Sequence, residues 1–175
     1  MPRYVAFLRG VSPMNAKMAD LKECFEKLGF TDVKTVLSSG NVVFTGAAKS
    51  ENSLAKVLEV GMTEHLPRSF PVIVRKLDHL LALLKSDPYS GFRISPNAKR
   101  VVTFLSEPHP GTLSLPMELD GAQILSVKGT EVFTTYMPNE QGPVFMRLIE
   151  KTFGKNVTTR TWETIKKCTL VSGGV

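Results

Sequence analysis

Few residues in this chain have types and spacings that could do chemistry, and most of those are cationic or small and polar. Arg9, Gly10, Asn15 and Lys17 follow the apolar run Tyr4 to Leu8, and Ser38, Ser39, Gly40 and Asn41 separate two further strand-like runs. An arginine can grip two oxygens of a carboxylate or phosphate at once, and a Ser-Ser-Gly-Asn turn offers hydroxyl and backbone donors to the same groups. These eight residues are the candidate ligand-binding set, and the partner they imply is an anionic or phosphorylated small molecule. A weaker basic set, Lys155, Arg160 and Trp162, lies where positive charge concentrates between Arg147 and Lys167. A solvated helix face accounts for the same charges, and Trp162 reads first as a packing residue and second as a ligand wall.

Enzymatic chemistry has less to stand on. His65, His79 and His109 are scattered, without Ser, Cys or acid neighbours in a nucleophile or metal-ligand arrangement. Cys24 and Cys168 are far apart and read as two reduced structural thiols. No catalytic set, metal or cofactor is implied. The formal net charge of +6 favours anionic partners, but it is shared between the two halves and falls short of a polybasic nucleic-acid tail. No run of 18 apolar residues occurs and no charged segment leads into an apolar one at the start, so the sequence reads as cytoplasmic with no membrane partner.

The elements that must position these residues occur twice. The run YVAFL (4–8) returns as VVTFL (101–105), and LSSGNVVF (37–44) returns as SVKGTEVF (126–133). In the first half, Met18, Leu21, Phe25 and Leu28 form a helix stripe closed by Gly29. Thr35 to Leu37 and Val42 to Thr45 flank a turn in which Gly40 and Asn41 can take positive φ. Ser50 caps a helix with the stripe Leu54, Val57, Leu58, Met62 and Leu66, and Phe70 to Val74 is a strand. Asp78 caps a helix carrying Leu80, Leu81 and Leu84.

Residues 91–97, within the Pro- and Gly-bearing stretch Asp87 to Asn97, read as a linker. In the second half Pro108, Pro110 and Pro116 allow only a short helix in the crossover. Ile124 to Val127 and Glu131 to Tyr136 make the second hairpin. Pro143 suits the first turn of a helix with inner residues Phe145, Leu148 and Ile149, closed by Gly154. Val157 to Arg160 is a last strand, and Trp162, Ile165 and Thr169 fit a final helix.

Each half reads strand, crossover, strand, strand, helix, strand, so the expected fold class is α+β with two tandem ferredoxin-like (βαββαβ) subdomains. The expected division is 1–90, a linker at 91–97, and 98–175. That order puts the first loop, the hairpin turn and the loop before the last strand on one edge. Arg9, Gly10, Asn15, Lys17, Ser38, Ser39, Asn41 and Arg68 then share a rim in the first unit, and Lys128, Lys155 and Asn156 share one in the second. Arg75 and Arg160 close the last strand of each unit and are expected to be structural. The first strand is apolar at both parities, so both sheet faces are expected to be buried, leaving no aromatic platform of the kind that reads RNA.

The runs RYVAFLRGV, KMADLKECFEKLGFTDVKTVLSSGNVVF and NVTTRTWETIKK together resemble the bacterial family known as domain of unknown function 1697. The resemblance implies a duplicated ferredoxin-like fold and no activity. Members commonly carry paired glycines in the loop after LRG, where this chain has Pro13 and Met14, which would alter any anion-binding role of that loop. The leading expectation is a binding module for an anionic small molecule at the first rim. An enzyme acting on a phosphorylated ligand and a nucleic-acid or protein interaction module are the alternatives.

Overall fold

The computed structural model describes residues 1–138 and 144–173. The chain runs β1 (Arg3–Leu8), α1 (Met18–Lys27), β2 (Thr31–Val36), β3 (Asn41–Thr45), α2 (Glu51–His65), β4 (Val72–Lys76), α3 (Leu77–Ser86), β5 (Lys99–Leu105), β6 (Met117–Leu119), β7 (Ala122–Lys128), β8 (Glu131–Tyr136), α4 (Val144–Phe153), β9 (Val157–Thr161) and α5 (Trp162–Gly173). It is a mixed α+β fold with two antiparallel sheets and, among the described residues, five helices. The compact units are Met1–Lys85 with Ile165–Val175, and Ser86–Thr164. The division at 1–90 and 98–175 expected from the repeat leaves the last helix wholly in the second unit, whereas here it begins in the second and continues in the first.

The first sheet has the order β2-β3-β1-β4, with β1 bonded to antiparallel partners on both sides. Tyr4, Ala6 and Leu8 of β1 join Val42, Phe44, Val72 and Val74 in a core covered by Leu21 and Phe25 of α1 and Leu54, Leu58 and Met62 of α2. Phe44 is its aromatic centre, 5.5 Å from the rings of Tyr4 and Phe25 and 4.7 Å from that of Phe30. The opposite parity is buried as well: Val5 and Phe7 are fully covered. Ser50 accepts a hydrogen bond from the Ser53 amide (3.1 Å) at the start of α2. Gly29, at φ +95°, follows the end of α1.

Three details depart from the local pattern. Val57 faces outward, and the helix contact nearby is made by Gly61, where a Cβ would fall 2.3 Å from Leu28 Cδ1. The bare backbone lets α2 approach the end of α1. In α3 the buried residues are Leu77, Leu80 and Leu83, while Leu81 is exposed, because the helix begins at Leu77 and Asp78 sits in its first turn rather than capping it. Strand β4 starts at Val72, with Phe70 buried in the approach to it.

The second sheet has the order β6-β7-β8-β5-β9. Its core gathers Val101, Leu105, Ile124 and Val132 with Phe145, Leu148 and Ile149 of α4. The expected short crossover helix does not form: residues 106–121 carry instead the three-residue strand β6, paired to β7 through Met117–Ile124 and Leu119–Ala122. The prolines remove the amide donors that a helix there would need. Pro143 lies outside the described residues, and Gly154, at φ +84°, follows α4 with its amide bonded to the Glu150 carbonyl (2.8 Å). The stretch expected as linker contributes a core residue. Tyr89 is 1% exposed, and its hydroxyl lies 2.8 Å from the Val101 carbonyl and 3.1 Å from that of Thr134.

Gly40 combines φ +88° with a site where a Cβ would meet Val11 Cβ at 2.9 Å and Leu8 Cβ at 3.0 Å. Gly129 has φ +58° and nothing within 4 Å. Gly40→Ala is therefore expected to lower stability by on the order of 2 kcal/mol, against about 1 kcal/mol for Gly129→Ala, as read from urea midpoints. Burial, more than any nearby charge, pushes the Tyr89 phenol well above its ordinary value, so folding favours the protonated form. Tyr89→Phe should cost about 1–2 kcal/mol at neutral pH. Because the folded value is raised, that advantage is full below about pH 10 and shrinks above it, so wild type and variant should converge in alkali.

Candidate functional site

The upper edge of the first unit is built by backbone hydrogen bonds between segments distant in sequence. The Leu8 amide donates to the Gly40 carbonyl and the Arg9 amide to the Pro71 carbonyl, both at 2.8 Å. The loop after β1, the β2–β3 turn and the segment before β4 are thereby held side by side, as the strand order requires.

The loop from Gly10 to Lys17 is shaped by its own polar groups. Asn15 Nδ2 donates to the Gly10 carbonyl (2.8 Å), Asn15 Oδ1 accepts from the Ser12 amide (2.9 Å), and the Asn15 and Ala16 amides reach the Ser12 carbonyl (both 3.1 Å). This knot presents Pro13 and Met14 outward, with Met14 95% exposed. Between the loop and the residues following α2 lies a cavity of about 240 Å³. Its apolar floor includes Leu21, Leu66 and Phe70, and its polar wall is Asn15, Lys17 and Arg68, with one acid, Asp20. Arg68 stands over the Phe70 ring, 4.9 Å from its centroid. Among the described residues neither Lys17 nor Arg68 has a carboxylate partner. Stacking on an aromatic face leaves the guanidinium edge open to an anion.

The other first-rim residues are placed differently. Arg9, Gly10 and Ser38 to Asn41 are close in the fold but do not line this cavity. Asn41 is fully buried, and its side-chain amide donates to the Val36 carbonyl (2.9 Å) and to Ser39 Oγ (3.0 Å). It braces the turn from within the first residue of β3. The positive φ expected of Asn41 belongs instead to Leu37, at +60°, together with Gly40. The Gly40 carbonyl is committed to Leu8. Ser38 remains exposed.

In the second unit, Asn156 Nδ2 donates to Ser106 Oγ (3.0 Å) and the Leu105 amide to the Thr130 carbonyl (2.8 Å), which joins the corresponding rim. Lys128 and Lys155 are exposed there. The weaker basic set does not assemble: Lys155 precedes β9 and Trp162 follows it, so the two lie at opposite ends of a strand about 17 Å long. Arg160 Nη1 donates to the Thr159 carbonyl (2.7 Å), as Arg75 Nη1, 3% exposed, does to that of Val74 (3.0 Å). Trp162 is 5% exposed and packs edge-on against Tyr89, with ring centroids 5.3 Å apart.

The strand order places Arg68 on the first rim without making it a candidate ligand residue, and Phe70, Leu21 and Leu66 read only as strand and helix-stripe residues. Lys99 and Arg100, which open β5 beside a second cavity, carried no motif at all. Cys24 is buried, and burial raises its thiol above the ordinary value, which keeps it in the unreactive protonated form. Among the described residues no group of three or more His, Cys, Asp or Glu side chains gathers as a metal set, and no helix is long and apolar enough to cross a membrane.

Comparison with known proteins adds the family and the fold. The solved structure of the conserved bacterial protein SP0830 from Streptococcus pneumoniae is similar, with a TM-score of 0.71 at 22% identity over 97% of this chain and 98% of that one. At that identity the likeness concerns the fold alone. No curated protein matches. The family model described as protein of unknown function (DUF1697) matches residues 1–133, and the chain belongs to that family.

Proposed function

We propose that the protein is a binding module for a compact organic anion, taken up at the upper edge of the first unit between Lys17 and Arg68. The observation that carries this reading is the meeting in one cavity of an apolar floor with two cations that have no carboxylate partner among the described residues. At about 240 Å³ it is smaller than the ~300–1,000 Å³ typical of drug-sized ligand sites, which favours a small phosphorylated or carboxylated metabolite. Asn15 adds a neutral polar group at the wall. Pro13 and Met14, which line the cavity, make the loop's contribution one of apolar contact as well as backbone amides.

The same reading takes the two sheets as copies of a ferredoxin-like unit. It is supported by the strand orders β2-β3-β1-β4 and β7-β8-β5-β9, which coincide when β6 is set aside. In that view the second unit has lost its crossover helix and gained an edge strand.

A thermal-shift panel of sugar phosphates, nucleoside monophosphates and short dicarboxylates tests the proposal, since a ligand of the folded state raises its melting temperature. Lys17→Ala with Arg68→Ala should weaken any ligand found by about tenfold or more, with circular dichroism unchanged because both side chains are exposed. Undiminished binding by the double variant, or no ligand in the panel, defeats it.

A further inference from the structure

The second unit holds a larger cavity, of about 440 Å³, at the opposite edge of its sheet, where β5 begins, β9 ends and α5 starts. Lys99, Arg100 and Trp162 line it, with Ile94 and Pro96 from the preceding segment and one acid, Glu163, from the start of α5. We propose that this cavity binds an organic anion with an aromatic body, the charged head held by Lys99 and Arg100 and the body lying against Trp162, Ile94 and Pro96. The site is independent of the one beside Lys17.

Three observations support the assignment. Among the described residues neither Lys99 nor Arg100 has a carboxylate within ion-pair distance, so both charges are available to a ligand. Arg100 is also positioned in advance. Its guanidinium lies 5.6 Å from the centroid of Tyr89, whose hydroxyl is tied to the Val101 carbonyl and whose ring meets Trp162 and Phe133 edge-on at 5.3 and 5.8 Å. A cation held by an aromatic brace rather than an ion pair keeps its charge and loses little freedom on binding.

The third observation is a contrast. The first unit has a gap of about 470 Å³ at the matching place, where β1 begins, β4 ends and α3 starts, lined by Lys49, Lys76 and Asp78. There Tyr4 is bonded through its hydroxyl to the Lys49 and Ala47 backbone, and among the described residues no arginine is found over its ring. The strand order accounts for a gap in both units. Among the described residues, an arginine braced at this gap and an indole beside it occur in the second unit and not in the first.

Trp162 is the chain's single tryptophan, so its fluorescence reads this cavity directly. Titration of the full chain with phenyl phosphate should change the emission saturably, and inorganic phosphate, lacking the body, should bind about tenfold more weakly or worse. Benzoate as the third probe assigns the head: binding equal to phenyl phosphate makes it any anion, and weaker binding makes it a phosphate. Arg100→Gln should weaken phenyl phosphate by about tenfold or more. Because that change also touches Tyr89, Lys99→Glu, at an exposed position, provides a second reading and should abolish the response with the melting temperature unchanged. The Lys17→Ala, Arg68→Ala variant should titrate as wild type, which separates this site from the first. Absence of a saturable change with both aromatic probes, undiminished affinity in Lys99→Glu, or equal binding of inorganic and phenyl phosphate overturns the proposal.

Discussion

A strand whose side chains are buried on both faces has no water to satisfy its backbone, so it depends on its neighbours for every amide and carbonyl. In β1 the residues from Tyr4 to Leu8 are all fully buried, and the strand lies between β3 and β4 with antiparallel pairing on each side. That requirement sets the register of the whole first unit: Phe7 stands opposite Asn41 and Ile73, and Leu8 opposite Val72. Once the register is set, the loop after β1 must emerge between the β2–β3 turn and the segment leading into β4. The bonds from Leu8 to Gly40 and from Arg9 to Pro71 extend the same ladder past the strand end. The upper edge of the unit, with the cavity beside Lys17, is a consequence of that ladder.

The second unit repeats this logic with different material. Strand β5 takes the central place between β8 and β9, and the Leu105 amide reaches Thr130 as Leu8 reaches Gly40. Its crossover, broken by prolines, does not lay a helix over the sheet but adds an edge strand to it. Its prolines bar a helix, but the proline-free Met117–Leu119 can still ladder at an edge, where only one side needs pairing. Among the described residues the core below β7 and β8 takes its helix side chains from α4, with Phe145 stacked on Tyr136 at 5.2 Å.

Charge and packing divide the polar residues into two groups. Asn41 and Asn15 spend their hydrogen bonds on the turns that carry them, and Arg75 is buried with a donor on a backbone carbonyl. Lys17, Arg68, Lys99 and Arg100 have no such commitments among the described residues apart from the aromatic faces under the two arginines. An unpartnered cation at the mouth of a cavity contributes little to folding, which leaves it available for recognition.

The sequence alone determined the features whose signals lie within a few residues of one another. The Ser50 cap, the glycines after α1 and α4, the strand Glu131–Tyr136 and the inner residues of α4 follow from local periodicity and turn chemistry, and the doubled strand pattern foretold two antiparallel sheets. Only the tertiary structure decided that Asn41 turns inward and that Lys17 shares its cavity with Arg68 rather than Arg9. It also decided that Tyr89, in a stretch rich in proline and glycine, is a core residue. Strand pairing buries Asn41 opposite Phe7, and Lys17 meets Arg68, and Tyr89 meets Thr134, across dozens of residues, so composition and spacing along the chain carry no record of these partners.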